Sequence, residues 1–183
     1  MMKTINEKVD VLVAGGGTAG HVAAIQAGRA RVKTAVIVAG TMLGGTSTPG
    51  GVYMPNHYYS PQGPVVLGIA WELYRESLEI EGLAIPDYRK RRPVENPGYY
   101  SYINVPVYSA VAEAAAVKAG VDIHYHEFIG KVKADGNVWE ITSFGRGIKR
   151  ITRAKEIIDC TGDCDVVRAL GLGVLRSPER QPG

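Results

Sequence analysis

The first forty residues combine apolar runs with glycine-rich turns in the order of a βαβ unit. Val9–Val13 is a mostly apolar run that predicts a buried strand, and a glycine-rich turn that contains Gly15, Gly17 and Gly20 follows it. His21–Ala30 carries apolar residues at helical spacing, and Lys33–Ala39 is a second, β-branched run. This order predicts strand, tight turn, helix and parallel strand within roughly 30 residues.

The three glycines have the Gly-x-Gly-x-x-Gly spacing of a dinucleotide-binding turn. In this pattern Gly15 turns the chain off the strand, Gly17 lets a pyrophosphate approach the backbone, and Gly20 lets helix and strand pack closely. The free N–H groups and the dipole at the start of the following helix attract phosphate. A plain glycine-rich turn is the alternative, but the flanking strand and helix favour a dinucleotide site.

The second strand ends without the acidic residue that usually binds the adenosine ribose. Val38 stands at this position, and no Asp or Glu occurs between Asp10 and Glu72. Hydrogen bonds to a charged group contribute about 1.5–3 kcal/mol each, so we expect cofactor binding to be weakened about tenfold or more. The alternative is that backbone groups or water bind the ribose.

The connection Thr41–Gly51 has two glycine pairs around small hydroxyl residues. Such a loop has little side-chain bulk and leaves the carboxyl end of a strand, where open α/β sheets bind cofactors. We therefore expect it to lie against a flat ligand, with a flexible connection as the alternative.

After this loop the hydrophobic pattern predicts first helices and then mainly strands. Val65–Gly82 has helical spacing, and Asn104 is expected to cap a helix over Val105–Ala119. A strand over Val121–Glu127 follows. An antiparallel three-strand meander is then predicted over Phe128–Ala134, Val138–Phe144 and Ile148–Arg153. After it come a separate strand, Lys155–Cys160, and a short helix with Asp163 as its expected N-cap.

Composition narrows the class of protein. The chain has 183 residues, 45% of them hydrophobic and 21% charged, which predicts one globular domain over 1–183 with an excursion at 52–104 and the meander at 128–153. A formal charge of +3 is too small to indicate nucleic acid. No run is long enough to cross a bilayer and Met1–Lys8 is too polar for a signal peptide, so we expect neither a membrane partner nor export, and place the protein in the cytoplasm.

Three other groups of residues are considered as a redox pair, a metal site and an anion site. Cys160 and Cys164 are expected to be buried structural thiols, with a disulfide or redox pair as the alternative. His124 and His126 lie two apart on a predicted strand, but no third ligand is evident and no metal site is expected. The basic run Arg89–Arg92 predicts a solvated loop, with an anion site as the alternative.

Several motifs occur in a known order: the glycine fingerprint, Leu43-Gly44-Gly45, the meander, and Ile157–Asp163 with its Thr-Gly-Asp strand end. On these motifs the whole chain resembles the amino-terminal part of FAD-dependent oxidoreductases of the glutathione-reductase-like fold, related more distantly to fumarate reductases and succinate dehydrogenases. The resemblance implies an α/β, Rossmann-like FAD/NAD(P)-binding domain, in which a parallel sheet with helices carries a three-stranded antiparallel β-meander.

The resemblance also implies a cofactor site for noncovalent FAD, because the loop Thr41–Gly51 has no His for covalent attachment. Its expected contacts are Gly15, Gly17, Thr18, Ala19 and Gly20 for the pyrophosphate, Val38 at the ribose position, Gly44, Gly45 and Thr46 beside the flavin, and Thr161, Gly162 and Asp163 from the neighbouring strand. Val38 and Arg31 depart from the family pattern, and Ser177–Gly183 has the sequence of an interrupted loop, which predicts a fragment.

The expected function is that of the FAD-binding portion of a flavin-dependent oxidoreductase, with hydride transfer between a small organic substrate and FAD. No catalytic residue is identified, although His57, Tyr58 and Arg92 lie in loops that could face the flavin. One alternative is a non-catalytic module or subunit with weak or lost nucleotide binding; another is a nicotinamide-dependent dehydrogenase. A homo-oligomer or a missing second half is the expected protein partner.

Overall fold

The computed structural model describes residues 2–54, 59–60, 63–85 and 102–175. Its strands are β1 (Lys3–Ala14), β2 (Thr34–Val38), β3 (Tyr59–Ser60), β4 (Gly63–Pro64), β5 (Val121–Tyr125), β6 (Phe128–Asp135), β7 (Val138–Gly145) and β8 (Ile148–Asp159). Its helices are α1 (Thr18–Arg29), α2 (Ile69–Ile80), α3 (Val105–Lys118) and α4 (Asp165–Ala169), with a short 3₁₀ turn at Gly45–Ser47.

Six strands form one mixed sheet in the order β5-β2-β1-β8-β7-β6, while β3 and β4 pair separately. β1 pairs in parallel with both β2 and β8, and β2 pairs in parallel with β5. β6 and β7 continue the sheet beyond β8 in antiparallel pairs. This architecture confirms the predicted α/β class, with a parallel sheet, helical connections and a three-stranded antiparallel meander.

The last meander strand is longer than the sequence predicts. The two expected strands, Ile148–Arg153 and Lys155–Cys160, are one continuous strand, β8, and β1 likewise begins at Lys3 rather than Val9. β1 and β8 pair with each other from Lys3 and Ile148 onwards. The polar first half of β1 gave no strand signal, because backbone pairing with β8 stabilises this segment instead of an apolar side-chain pattern.

Apolar residues are buried on both faces of the parallel strands, as crossover connections require. On one face, Val13 and Val36 belong to a cluster with residues of α1, α2 and α3. On the other, Leu12 and Ile37 form a cluster with Val132 and Ile141 of the meander and with α4. The meander therefore covers the face of the parallel strands that the three longer helices leave open.

A side-chain cap and a glycine with positive φ determine where α3 and α2 begin. The Asn104 side chain accepts a hydrogen bond from the Val107 N–H at 3.5 Å, which confirms the predicted cap of α3. α2 begins at Ile69 and not at Val65, because Gly68 has φ +78° and a helix cannot run through that conformation. In the part of the chain that the structure describes, no helix has the length and apolar character needed to span a bilayer.

Candidate functional site

The glycine turn lies where the carboxyl ends of β1, β2 and β8 meet. The Gly15 N–H donates to the Ile37 carbonyl at 2.9 Å, and Gly15 has φ +101°, a conformation that favours glycine. A Cβ at this position would overlap with the carbonyl of Cys160. Gly15 therefore makes the sharp turn between two neighbouring strands that its position in the motif predicts.

Gly17 and Gly20 occupy opposite environments. A Cβ at Gly17 would have no heavy atom within 4 Å, whereas a Cβ at Gly20 would overlap with the Gly15 carbonyl oxygen. Gly17 is the N-cap of α1 without a side-chain capping hydrogen bond, and Thr18 and Ala19 are exposed. Since the first N–H groups of a helix have no intrahelical acceptor, this is an open backbone surface with positive character.

The loop Thr41–Gly51 lies directly on this turn. The Gly44 N–H donates to the Gly16 carbonyl at 2.9 Å, and the Thr18 hydroxyl donates to the Gly44 carbonyl at 3.0 Å. A Cβ at Gly45 would lie 2.7 Å from the Gly17 Cα, so only glycine permits this approach. These contacts place Gly44 and Gly45 directly beside the glycine turn and leave Thr46 exposed.

The end of β8 is held by Asp159, which accepts hydrogen bonds from the Thr161 N–H at 3.1 Å and the Thr161 hydroxyl at 2.8 Å. Its second oxygen accepts from the N–H groups of Val166 and Val167 in α4. Asp163 is exposed, and the N-cap of α4 is Cys164, with no side-chain cap. The prediction that Asp163 caps this helix is wrong, because Asp159 reaches the free N–H groups from the strand end.

Val38 is buried, with 3% of its surface exposed. A Cβ at Gly16 would lie 2.7 Å from the Val38 side chain and 2.9 Å from that of Leu43, so these groups pack around the second residue of the turn. The Val38 carbonyl accepts a hydrogen bond from the Glu127 N–H at 3.3 Å. At the expected ribose position the chain thus has an apolar contact and no side-chain acceptor.

A cavity of about 90 Å³ lies beside the turn. It is lined by Gly15, Ile37 and Thr161, by Glu127 of the β5–β6 connection, and by Phe128 and Ile129 at the start of β6. Sequence reasoning missed the other lining residues, which are Ile37, Ala39, Glu127, Phe128, Ile129 and Asp165. The available signal was topological: β5 is parallel to β2, so its carboxyl end reaches the same edge of the sheet.

Comparison with known proteins identifies the family. The model of the family "FAD dependent oxidoreductase" matches residues 10–177. The chain belongs to the FAD dependent oxidoreductase family. A search of curated proteins found no match for this chain.

Solved structures agree on the fold. A flavoprotein/dehydrogenase from Cytophaga hutchinsonii has a TM-score of 0.57 at 20% identity, over 90% of this chain and 42% of that one. OxyS anhydrotetracycline hydroxylase from Streptomyces rimosus has a TM-score of 0.61 at 15% identity, over 90% and 34%. THI4 from Thermovibrio ammonificans has a TM-score of 0.57 at 18% identity, over 91% and 64%. The chain thus spans between about one third and two thirds of these proteins.

The cofactor of the FAD dependent oxidoreductase family is FAD. The residues present fit its diphosphate, because Gly17 leaves an open space that a larger side chain would fill and α1 directs unpaired N–H groups towards it. Contacts among the turn, the loop and the end of β8 bring most of the predicted site to one edge of the sheet, with Gly162 and Asp163 exposed on the next turn. His57, Tyr58, Arg92, the basic run and Ser177–Gly183 lie outside the described residues.

The structure corrects two further expectations. β5 ends at Tyr125, and His126 has φ +59° in the turn that follows, so His124 and His126 do not share a strand face. No cluster of His, Cys, Asp or Glu able to hold a metal occurs among the residues with described positions. Cys160 is half-buried and Cys164 is exposed, so the expectation of two buried thiols is wrong for Cys164.

A network of charged side chains holds the β5–β6 connection of this family member in place. Arg150 donates to Glu127 through Nε at 3.1 Å and Nη2 at 2.9 Å, and to Glu7 through Nη1 at 3.1 Å. Glu7 lies 3.1 Å from His124 Nε2, and further donors are the hydroxyls of Thr152 and Ser143. Because Glu127 also lines the cavity, the network positions one wall of the candidate site.

The same network shifts the pKa values of its members. Burial alone would raise the pKa of Glu7, but hydrogen bonds from His124 and Thr152 and the charge of Arg150 hold it below the usual value. The pKa of Glu127 is likewise lowered by Arg150 and Ser143 in spite of burial. Burial lowers the pKa of Arg150, but the carboxylates of Glu127 and Glu7 outweigh this effect and raise the pKa.

These shifts predict a loss of stability in acid. The folded-state pKa values of Glu7 and Glu127 lie below those of the unfolded chain, so the unfolded state takes up protons first. The two carboxylates should make their whole contribution to the free energy of unfolding above the ordinary Glu pKa of about 4.3. This contribution should be lost as the pH falls through the lower pKa values of the folded state. Denaturant titrations over a pH series measure this. A Glu7→Gln variant should show a shallower acid dependence, and parallel curves would contradict the assignment.

Proposed function

We propose that this chain is the cofactor-holding portion of a flavin-dependent oxidoreductase. It binds FAD noncovalently, with the diphosphate at the open Gly17 face and the amino terminus of α1. The flavin lies along Gly44, Gly45 and Thr46, and the end of β8 at Thr161, Gly162 and Asp163 flanks the cofactor. The observation that carries the proposal is the contrast between Gly17, which faces open space, and Gly20, which is packed against backbone.

When bound, FAD supplies hydride and electron transfer, and the protein binds and orients it. In this proposal the N–H groups of Thr18 and Ala19 donate to phosphate oxygens. The Thr18 hydroxyl is already committed to the Gly44 carbonyl and keeps the loop against the turn. The cavity between Gly15 and Ile129 receives part of the adenosine end.

The proposal extends to a small organic substrate, a cytoplasmic location and a flavin site completed by polypeptide outside this chain, from a second copy or a separate segment. The partial coverage of the solved flavoproteins supports the last point. Two free cysteines, one of them exposed, fit a reducing compartment.

Titration of the purified chain with FAD tests this function. We expect yellow protein, or quenching of flavin fluorescence on binding, and a higher melting temperature in the presence of FAD or ADP. Colourless protein that neither FAD nor ADP stabilises would contradict the proposal and favour a non-catalytic module. Stabilisation by NAD alone would favour a nicotinamide enzyme.

A Val38→Glu variant is expected to change affinity and stability in opposite directions. A carboxylate at the ribose position should tighten ADP binding about tenfold through hydrogen bonds to a charged group. In the ligand-free chain, the same carboxylate replaces a buried apolar contact and should lower the free energy of unfolding by about 1–3 kcal/mol.

Calorimetry with ADP and denaturant titration measure the two effects of Val38→Glu. Val38→Gln is the matched control, because it has the same length without the charge and should gain less affinity. If Val38→Glu leaves the ADP affinity unchanged, position 38 does not face the ribose.

A further inference from the structure

His21 lies in the first turn of α1 on its buried face, with 1% of its surface exposed. Its Nδ1 is 2.8 Å from the Gly17 carbonyl oxygen, and its Nε2 is 3.4 Å from the Tyr108 hydroxyl on α3. The two rings meet edge to face, with centroids 6.1 Å apart. The proposed function does not use this pair, although it contacts the N-cap residue of the candidate phosphate site.

The contacts of His21 determine where its proton lies. A carbonyl oxygen only accepts hydrogen bonds, so Nδ1 carries the hydrogen and donates to Gly17. Burial lowers the pKa of His21, which keeps the ring neutral. Nε2 is then an acceptor, and the Tyr108 hydroxyl is the group that donates to it.

The Gly17 carbonyl therefore accepts two hydrogen bonds from one residue. The His21 backbone N–H donates to it at 3.1 Å, and the His21 ring donates at 2.8 Å. In a trans peptide the C=O and the following N–H point in opposite directions, so holding the Gly17 carbonyl from inside the helix directs the Thr18 N–H outwards. Accepting these bonds also polarises the peptide group and strengthens the outward donor.

We propose that His21, supported by Tyr108, is a positioning residue that fixes the Gly17–Thr18 peptide so that the Thr18 N–H donates to the diphosphate of FAD. The inference rests on the proposed function, since it assumes that the diphosphate lies at Gly17. His21 acts through the backbone and does not touch the ligand. Tyr108 joins α3, a helix remote in sequence, to the cofactor turn.

ADP and adenosine are the probes that separate positioning from a merely structural role. A His21→Leu variant should bind ADP about fivefold more weakly and bind adenosine unchanged. The loss is smaller than for deleting a hydrogen bond to a charged ligand outright, because the Thr18 N–H remains but is held less well. His21→Asn places an amide N–H near the position of Nδ1 and should restore the ADP affinity. Tyr108→Phe, which removes the donor to Nε2, should weaken ADP binding by a smaller factor.

Ser77→Ala is the matched control. Ser77 is a fully buried donor to a helix carbonyl, that of Tyr74 at 2.7 Å, but it lies on α2. This variant should lower the melting temperature without changing the ADP affinity.

The outcomes are separable. If wild type and His21→Leu bind ADP with equal affinity, the positioning role is overturned but the FAD site is not. The same conclusion follows if His21→Leu loses as much affinity for adenosine as for ADP. If wild type binds neither FAD nor ADP, both proposals are overturned. Should His21→Leu fail to fold, the pair His21→Asn and Tyr108→Phe decides: the inference requires near-wild-type ADP affinity in the first and weaker binding in the second.

Discussion

An Arg150→Met variant is expected to lose about 3–5 kcal/mol of unfolding free energy, the usual cost of removing one partner from a buried ion pair. The Arg150 side chain is 11% exposed and bridges Glu127, 4% exposed, and Glu7, 16% exposed. Without the guanidinium, two carboxylates remain close together in a buried region with too few donors. Denaturant titration at neutral pH measures the loss.

Arg153 is the matched control for Arg150, because it lies on the same strand, three residues further on. Its side chain is 42% exposed and pairs with Asp135 at 2.8 Å. Arg153→Met should cost less than about 1 kcal/mol, as for other surface pairs. Adding Glu127→Gln to Arg150→Met should recover part of the stability, since it removes one of the unpaired charges. Equal losses in the two single variants would contradict a buried network.

Gly20→Ala is expected to cost about 3 kcal/mol, at the upper end of overpacking effects. The new Cβ would overlap with the Gly15 carbonyl oxygen and lie 3.1 Å from the Cys160 Cβ. Relief requires a shift of the Gly15 backbone or of the end of β8, and either shift disrupts the glycine turn. We expect a lower melting temperature together with weaker FAD binding, because the same displacement distorts the phosphate site.

Gly17→Ala should separate binding from stability. Its φ of −68° suits alanine and its Cβ would meet open space, while alanine is a poorer N-cap than glycine, so the opposing effects should leave stability within about 1 kcal/mol. The Cβ would occupy the space that the diphosphate needs, and ADP affinity should fall at least about tenfold. Calorimetry with ADP measures it. Unchanged affinity would mean that the open face of Gly17 is not the phosphate site.

These pairs of variants distinguish the roles that one motif combines. Gly15 and Gly20 act within the fold, through a positive φ and a close backbone approach, whereas the role of Gly17 towards a ligand is part of the proposal. The motif spacing predicted the structural roles of Gly15 and Gly20, because each depends on backbone geometry within a few residues. The cap of α3 by Asn104 was predictable for the same reason.

Part of β1 was missed because its partner strand is distant in the sequence, whereas the helix cap and the histidine pair were predicted wrongly for local reasons. Lys3–Lys8 is polar and gave no strand signal, yet it forms half of β1 because β8 pairs along its whole length. Asp163 looked like a cap for α4, but the fold brings Asp159 to those N–H groups. His124 and His126 looked like a pair until the turn at His126 separated them.

The sequence alone determined the βαβ opening, the turn at Gly15 and the close packing at Gly20, the meander and the flavin family, since apolar periodicity and turn chemistry act over a few residues. Only the tertiary structure decided which distant groups meet: Arg150 between Glu7 and Glu127, Tyr108 against His21, and the β5–β6 connection beside Gly15. These contacts join residues up to 143 positions apart. Their geometry depends on strand order and on the packing of helices and meander against the sheet, which no local pattern encodes.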